Sequence, residues 1–256
     1  MDLTGYTLIS TSHHRVYKHD DTGRILKIAR DDTDTSNREI YTDYMVNSEL
    51  GRDVVFHPRS PGTPSSFDMR NYGTEMPQPT PRLFSHSLDE LHRVWSRIQS
   101  DPLISDSPDE YMDLTTEKVE RRLFDVPSLR IRALAWLDEA TPAFYDAYTE
   151  PLGLCHNDPR NTNWISENGK DYMLIDWERP LIGPPFIDLA ALYHTYTVRE
   201  RHDLTRLVLE RVEDMEKFRA FFLVKAVLSL TWRYGYNPSH IPGRLDLIER
   251  TLRKLH

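Results

Sequence analysis

The chain contains one cysteine, Cys155, so it cannot build an internal disulfide framework, and a reducing, cytoplasmic setting is expected. No stretch approaches the roughly 20 consecutive apolar residues that a bilayer crossing requires. The opening MDLTGYTLIS sets no basic segment ahead of an apolar one, so neither a membrane association nor a secretory leader is expected. Basic residues are in deficit: 32 Lys and Arg face 40 Asp and Glu, for a net charge of -8 and a sequence pI near 5.8. That balance speaks against broad nucleic-acid binding, which draws on a basic footprint. The acidity would suit a cationic small substrate, but it is also the ordinary composition of a soluble surface, and base rates favour the latter. Internal repeats, heptad runs and low-complexity tails are absent as well. Glycine is scarce, with 10 in the chain, and is missing from Ser10 to Arg15, the first polar turn.

What is present is a chain of 256 residues, long enough for one large domain or two lobes and for a core that needs no staple. The first 30 residues read as a meander. YTLIS and RVYKH flank the turn at Thr11 to His14, and Asp20-Asp21-Thr22-Gly23 leads into RILKIA. Ser36-Asn37-Arg38-Glu39 has the Ser-x-x-Glu capping-box pattern and is expected to open a helix over EIYTDYMVNSEL. VVFHP and SFDMRNYG read as further strands within a proline-rich stretch, Pro58 to Pro81, that suits sheet edges and an extended connection. A lobe boundary is expected there, dividing the chain into 1–76 and 77–256.

From Ser87 the periodicity turns helical, through DELHRVWSRIQ, YMDLTTEKVERRLF and RALAWLDEATPAFYDAY. A strand-like interlude covers Leu152 to Trp177. Helices resume with FIDLAALYHTYTV, then the long run from Asp203 to Tyr236, then RLDLIERTLRKL. Strands first and helices later, with a hairpin set among the helices, is an α+β order.

The segment LGLCHNDPRNTNWISENGKDYMLIDWE carries the chemistry. Asn168-Gly169 is a strong two-residue hairpin signal. With those residues as the loop, Glu167 sits opposite Lys170 and Asn163 opposite Leu174. Asn163 and Asp176 would then emerge on one face, diagonal neighbours roughly 7 Å apart. Two hard oxygen donors there would suit Mg²⁺, which takes one or two protein carboxylates and fills its octahedron with phosphate oxygens and water. Asp158, on the loop entering the hairpin, adds a third oxygen group. Polar hairpin ends are common in themselves, because Asn and Asp favour turns. The order of features is less common: an apolar strand, His-x-Asp, Asn five residues on, then an apolar strand ending in Asp-Trp-Glu.

HNDPRNTN resembles the His-x-Asp-x-x-x-x-Asn catalytic loop of aminoglycoside phosphotransferases, choline and homoserine kinases and related protein-kinase-like enzymes. LIDWERPLIGPPFIDLA is similar to the segment that follows it there. The resemblance implies a bilobal protein-kinase-like fold, with a small β-rich N-lobe holding one helix and a larger, mostly helical C-lobe. It implies ATP or GTP as phosphoryl donor, Mg²⁺ as cofactor and a small molecule bearing a hydroxyl as acceptor. By position, Asp158 would orient and deprotonate that hydroxyl, and Asn163 and Asp176 would hold the metal. Arg160 stands where protein kinases place a lysine and would steady the transferred group. Structural support is the expected role of His156 and Asp188.

Lys27, within RILKIA, stands where such kinases place the lysine that contacts nucleotide phosphates. Its expected acidic partner is Glu39. The capping box offers that carboxylate a competing role, and Asp43, one turn later on the same face, is the reserve. The glycine-free turn departs from the protein-kinase pattern and leaves Ser12 and His13 as candidate phosphate contacts through hydroxyl or backbone amide. Cys155, beside His156, is expected to pack into the core. Glu210, Glu213, Asp214 and Glu216 read as a solvated helix face, with a cationic acceptor site as the competing role.

Three other functions compete with phosphorylation of a small acceptor. A kinase-like module that binds nucleotide with weak or no turnover is favoured by the glycine-free turn and disfavoured by Asp158, Asn163 and Asp176 occurring together. A two-metal phosphohydrolase lacks the additional ligands it would need. A protein kinase lacks its activation segment, since Trp177-Glu178 follows Asp176.

Overall fold

The computed structural model describes the chain except residues 1–2, 12–13, 32, 61–62, 72–79, 100–103, 105–106, 167–171, 178, 200–202 and 256, and the side chains of 81, 161, 198 and 199. The fold is mixed α+β, with a sheet in its N-terminal region and helices in its C-terminal region. The chain divides into two compact units. One is Met1–Pro77 with Pro102–Ile104 and Thr162–Pro180, and the other is Gln78–Asp101, Ser105–Asn161 and Leu181–His256. Among the described residues no helix is long and apolar enough to cross a membrane.

The first unit is built on five antiparallel strands in the order β1-β2-β3-β5-β4: β1 Tyr6–Ser10, β2 Arg15–His19, β3 Ile25–Ile28, β4 Val54–His57 and β5 Ser66–Met69. Gly23, at φ +68, takes the left-handed turn between β2 and β3, a conformation open to glycine at no steric cost. Arg24 then fastens the start of β3 to β5, its Nε and Nη2 donating to Asp68 at 2.9 and 2.6 Å. Register sets Lys27 opposite Val16 on one side and Phe67 on the other.

Helix α1, Asp34–Glu49, packs on β4 and β5 and shares a core with the sheet in which Ala29, Ile40 and Phe67 are buried against Tyr44, Val54, Phe56 and Met69. This helix begins before the expected capping box. Thr33 is the N-cap, its side chain accepting from the Ser36 amide, so Ser36 sits inside the first turn. Thr33 is itself a good cap, and Asp34 next to it complements the helix dipole.

Strands β7, Trp164–Ser166, and β8, Tyr172–Leu174, form the hairpin that groups with this first unit. In sequence the hairpin lies between two short strands, β6, Gly153–Cys155, and β9, Leu181–Gly183, which pair with each other in the second unit. The hairpin register differs from the expected one. Trp164 pairs with Leu174 and Ser166 with Tyr172, one residue out of step with an Asn163–Leu174 pair. The Asn168-Gly169 turn lies outside the described residues.

The second unit is mostly helical: α2 Pro81–Trp95, α3 Pro108–Arg122, α4 Pro127–Ala147, α5 Phe186–His194, α6 Thr205–Leu209, α7 Met215–Tyr236 and α8 Ile241–Lys254. Helix α2 starts earlier than its apolar periodicity, because Thr80 caps it and Pro81 occupies its first turn. The long run from Asp203 to Tyr236 is two helices, broken where Asp214 accepts from the Lys217 amide as the N-cap of α7. Asp214 thus serves the helix terminus, while Glu210 pairs with Arg206 and Glu213 and Glu216 stay clear of the core.

Helices α3, α4 and α5 pack around α7, where Phe221 stacks on Phe144 at 4.7 Å and on Phe186 at 6.0 Å. Each such fully buried ring contributes about 2 kcal/mol through burial. Gly153 lets β6 close on α2: a Cβ there would lie 2.2 Å from the Trp95 carbonyl oxygen. The Trp95 indole in turn donates to the Gly183 carbonyl at 2.9 Å, and the Leu154 amide to the Ile98 carbonyl at 2.8 Å. The strand pair that leads into His156 is therefore anchored from one side by close backbone contact.

Candidate active site

In the first unit the central group is Lys27, on β3 and 9% exposed. Its ammonium donates to Asp43 Oδ2 at 2.8 Å and to Asp176 Oδ1 at 2.7 Å. Asp43 lies on α1 and is buried; its other oxygen accepts from the Asn47 side-chain amide at 2.8 Å and from the Trp177 backbone N–H at 3.1 Å. Burying a polar group is costly unless its oxygens are paired, and these donors supply the pairing. Because Trp177 follows Asp176, one carboxylate fixes both the lysine and the backbone next to its second partner. Asp176 itself is 39% exposed at its side chain, which leaves it open to a ligand.

Glu39, expected beside Lys27, points elsewhere. It accepts from Arg179 Nε at 3.0 Å and lies 3.5 Å from His14 Nε2. The residue one helical turn later, Asp43, faces β3 instead, so the reserve candidate holds the lysine. His14 is buried, and its Nδ1 accepts from the Arg30 amide at 3.2 Å, which places the ring proton on the nitrogen facing Glu39. Ser12 and His13 lie outside the described residues.

Asn163 ends a 3₁₀ turn, Asn161–Asn163, and is 6% exposed. Its carbonyl accepts from the Ile175 amide at 2.9 Å, so it neighbours Asp176 through the backbone. Face alternation does not account for this. In the observed register Asn163 falls opposite Ile175, which would send Asp176 to the other side. Asp176 has left strand geometry, however, with φ +72, and that left-handed step re-aims its carboxylate toward Lys27. Two oxygen donors of this kind fit Mg²⁺. Among the described residues no group of three or more His, Cys, Asp or Glu could hold a metal ion by itself.

In the second unit, β6 delivers Cys155 to the core, where burial pushes its thiol pKa up and its Sγ donates to the Pro184 carbonyl at 3.4 Å. The next two residues form a tight turn held by Asp188, in the first turn of α5. Its two oxygens accept from the His156 and Asn157 amides at 2.7 Å each. Burial raises the Asp188 pKa, while His156, the two amides and Lys225 oppose that rise. Asn157 takes the left-handed conformation, φ +67, which its short polar side chain tolerates. The Asp158 amide donates to His156 Nδ1 at 3.2 Å, and the Arg160 amide to the Asp158 carbonyl at 2.8 Å.

The Asp158 carboxylate that emerges from this turn is half exposed, with Arg160 Nε at 3.1 Å. That Nε has no hydrogen-bond partner among the described residues, so the contact is an electrostatic one. One residue escaped the sequence reading. Lys225, on α7, donates to the Asn157 carbonyl at 2.7 Å and lies in the field of Asp158 and Asp188. The signal was a lone lysine in the apolar run FRAFFLVKAVLSL, which periodicity assigns wholly to core.

A sequence profile described as the phosphotransferase enzyme family matches residues 79–221, more than half of the chain. The chain belongs to the phosphotransferase enzyme family. The fold of this phosphotransferase is shared with solved kinases of small molecules. Choline kinase LicA from Streptococcus pneumoniae superposes with a TM-score of 0.65 at 16% identity, over 98% of this chain and 92% of that one. A further structure of LicA is a complex with AMP. An aminoglycoside phosphotransferase from Alicyclobacillus acidocaldarius gives 0.61 at 14% identity, over 99% and 89%. Wild-type aminoglycoside 2'-phosphotransferase-IIIa, in a GDP complex, gives 0.60 at 15% identity, over 100% and 95%. A search of curated proteins returns no significant match.

Proposed function

We propose that this phosphotransferase moves the terminal phosphate of ATP or GTP to a hydroxyl of a small molecule in the cytoplasm, a setting that its single reduced thiol suits. The observation that carries the reading is the Lys27 ammonium held by a buried carboxylate, Asp43, and a half-open one, Asp176. Such a lysine is fixed in direction before any ligand arrives, and nucleotide phosphates are the anions it would meet. Nucleotide binding is assigned to the lobe of residues 1–76, and catalysis and acceptor binding to residues 77–256, with Asn163 and Asp176 as the groups that would hold Mg²⁺. That ion, when bound, would neutralise charge on the phosphates.

The remaining roles fall to the chain itself. Asp158 would accept the proton of the acceptor hydroxyl, and Arg160, close beside it, would meet the transferred phosphoryl oxygens. His156 and Asp188 would keep the loop in shape by holding its amides. Phosphoryl transfer asks the protein mainly for positioning and charge stabilisation, and this set supplies both. Neighbours that hold AMP or GDP support the nucleotide part.

Thermal melting with and without Mg²⁺ and each nucleotide tests the reading, followed by ADP or GDP release over a panel of hydroxylated acceptors. Nucleotide-dependent stabilisation with release to at least one acceptor is expected. No shift with either nucleotide would remove the proposal. A shift with no release to any acceptor would favour the alternative, a kinase-like module that binds nucleotide with little turnover.

A further inference from the structure

Three helices of the second unit hold one residue of the His-x-Asp loop. Asn157 precedes Asp158 and lies in the left-handed region at φ +67, which side chains other than glycine enter only as isolated residues. Its amide donates to Asp188, on α5, at 2.7 Å. Its carbonyl accepts from the Lys225 ammonium, on α7, at 2.7 Å. Its side-chain oxygen lies 3.4 Å from the Tyr111 hydroxyl, on α3. Amide, carbonyl and side chain are thus each taken by a different helix.

The carbonyl contact bears most directly on Asp158. The Asn157 carbonyl and the Asp158 amide belong to one planar peptide unit. Lys225 holds that unit by its oxygen, and His156 Nδ1 holds it by its N–H at 3.2 Å. Rotating the unit would change ψ of Asn157 and φ of Asp158 together, and the second angle sets where the Asp158 side chain points. Without the ammonium, one end of the peptide is released and the left-handed turn loses the bond that opposes its relaxation.

Lys225 is an expensive way to satisfy a carbonyl. It lies in the apolar run FRAFFLVKAVLSL, next to the buried Val224 and Ala226. Loss of water around the ammonium pulls its pKa below the ordinary lysine value, against the fields of Asp158 and Asp188. Among the described residues it forms no salt bridge, and its hydrogen bond goes to a neutral acceptor. An apolar side chain of similar length would suit these surroundings at least as well. Such costs persist where a local geometry serves function.

We propose that Lys225 is a positioning residue: by holding the Asn157 carbonyl it fixes the peptide that aims the Asp158 carboxylate. The proposal rests on the phosphotransferase reading for what Asp158 does, and adds a residue of α7 to the machinery of transfer.

Lys225→Met tests it, since methionine keeps most of the length and the packing and removes the donor. Expected is a melting temperature at or above wild type, with the nucleotide-dependent shift retained. Release of nucleoside diphosphate should show kcat lowered about tenfold or more, with the acceptor KM little changed. A lysine that served only the fold would lower melting temperature and activity together. Wild-type kcat in the variant overturns the proposal. So does a variant that fails to fold, which would make the ammonium a support of the fold.

Hydrogen exchange read by mass spectrometry tests the hold on the loop without any transfer. The amides of His156 to Asp158 should exchange faster in Lys225→Met, while α4 and the strands of the first unit exchange as in wild type. Unchanged exchange in the loop overturns the proposal whatever the rates of transfer. Faster exchange, in a protein whose wild type releases no nucleoside diphosphate with any acceptor, leaves the hold by Lys225 standing and removes the phosphotransferase reading.

Discussion

The ammonium of Lys27 stands 2.8 Å from the carboxylate of Asp43, and that carboxylate also accepts the backbone N–H of Trp177. A strand, a helix and the segment after the hairpin thus meet at one buried acid. Asp43→Ala would leave a lysine that is 11% exposed at its side chain without its buried partner, and an amide without an acceptor. The expected outcome is a loss of about 3 kcal/mol in denaturant unfolding, together with loss of nucleotide-dependent stabilisation. Glu39→Gln removes a contact to an arginine that is 64% exposed and should change nucleotide binding little. Equal effects of the two changes would mean that Lys27 does not depend on Asp43.

Asp176 combines a chemical role with a conformational one, and two substitutions separate them. At φ +72 an alanine is strained by about 1 kcal/mol, whereas glycine is not. Asp176→Gly should therefore be more stable than Asp176→Ala by roughly that amount in chemical denaturation. Both should lose Mg²⁺-dependent stabilisation by nucleotide, because both lack the carboxylate. Retention of that stabilisation in the glycine variant would remove Asp176 from the metal site.

Much of this geometry was legible in the sequence, and the exceptions have physical causes. The strands of the first unit and the His-x-Asp loop followed from alternation, turn residues and motif spacing. The partner of Lys27 did not, because Glu39 and Asp43 share a helical face and sequence spacing cannot tell which of two successive turns meets the sheet. The hairpin register slipped by one through a turn assigned from Asn168-Gly169 alone. Asn163 neighbours Asp176 through the Ile175 backbone bond, and the left-handed conformation of Asp176, which alternation cannot foresee, turns its carboxylate to Lys27. Lys225 was hidden by its apolar neighbours: periodicity reports which face is buried, not which polar group a buried face carries to a loop.

Asp158→Asn keeps the shape of the turn, since the backbone bonds to His156 and Arg160 do not involve its carboxylate. Removing the base should lower transfer at least about a hundredfold while leaving nucleotide-induced thermal stabilisation near wild type. Steady-state release of nucleoside diphosphate, measured beside melting curves, distinguishes the two effects. Undiminished transfer would mean that another group takes the proton.

His194 makes the stability of the fold depend on acid. Its pKa is about 3 in the folded chain against an ordinary 6.5, lowered first by burial and then by Lys225, Arg244 and Arg233. Since the folded value is the lower one, the unfolded chain takes up the proton first, so unfolding is favoured as protons are added. The contribution is complete above the unfolded value and drains as pH falls from there toward the folded one. Each pH unit inside that window costs about 1.4 kcal/mol, so His194 alone should lower stability by about 2 kcal/mol on going from near pH 7.5 to about pH 5. Glutamine cannot take up the proton. His194→Gln should therefore show a flatter loss over that range by about the same amount, measured as urea midpoints and slopes at the two conditions. Parallel pH profiles for wild type and variant would mean that the ring takes up its proton as readily in the folded chain as in the unfolded one.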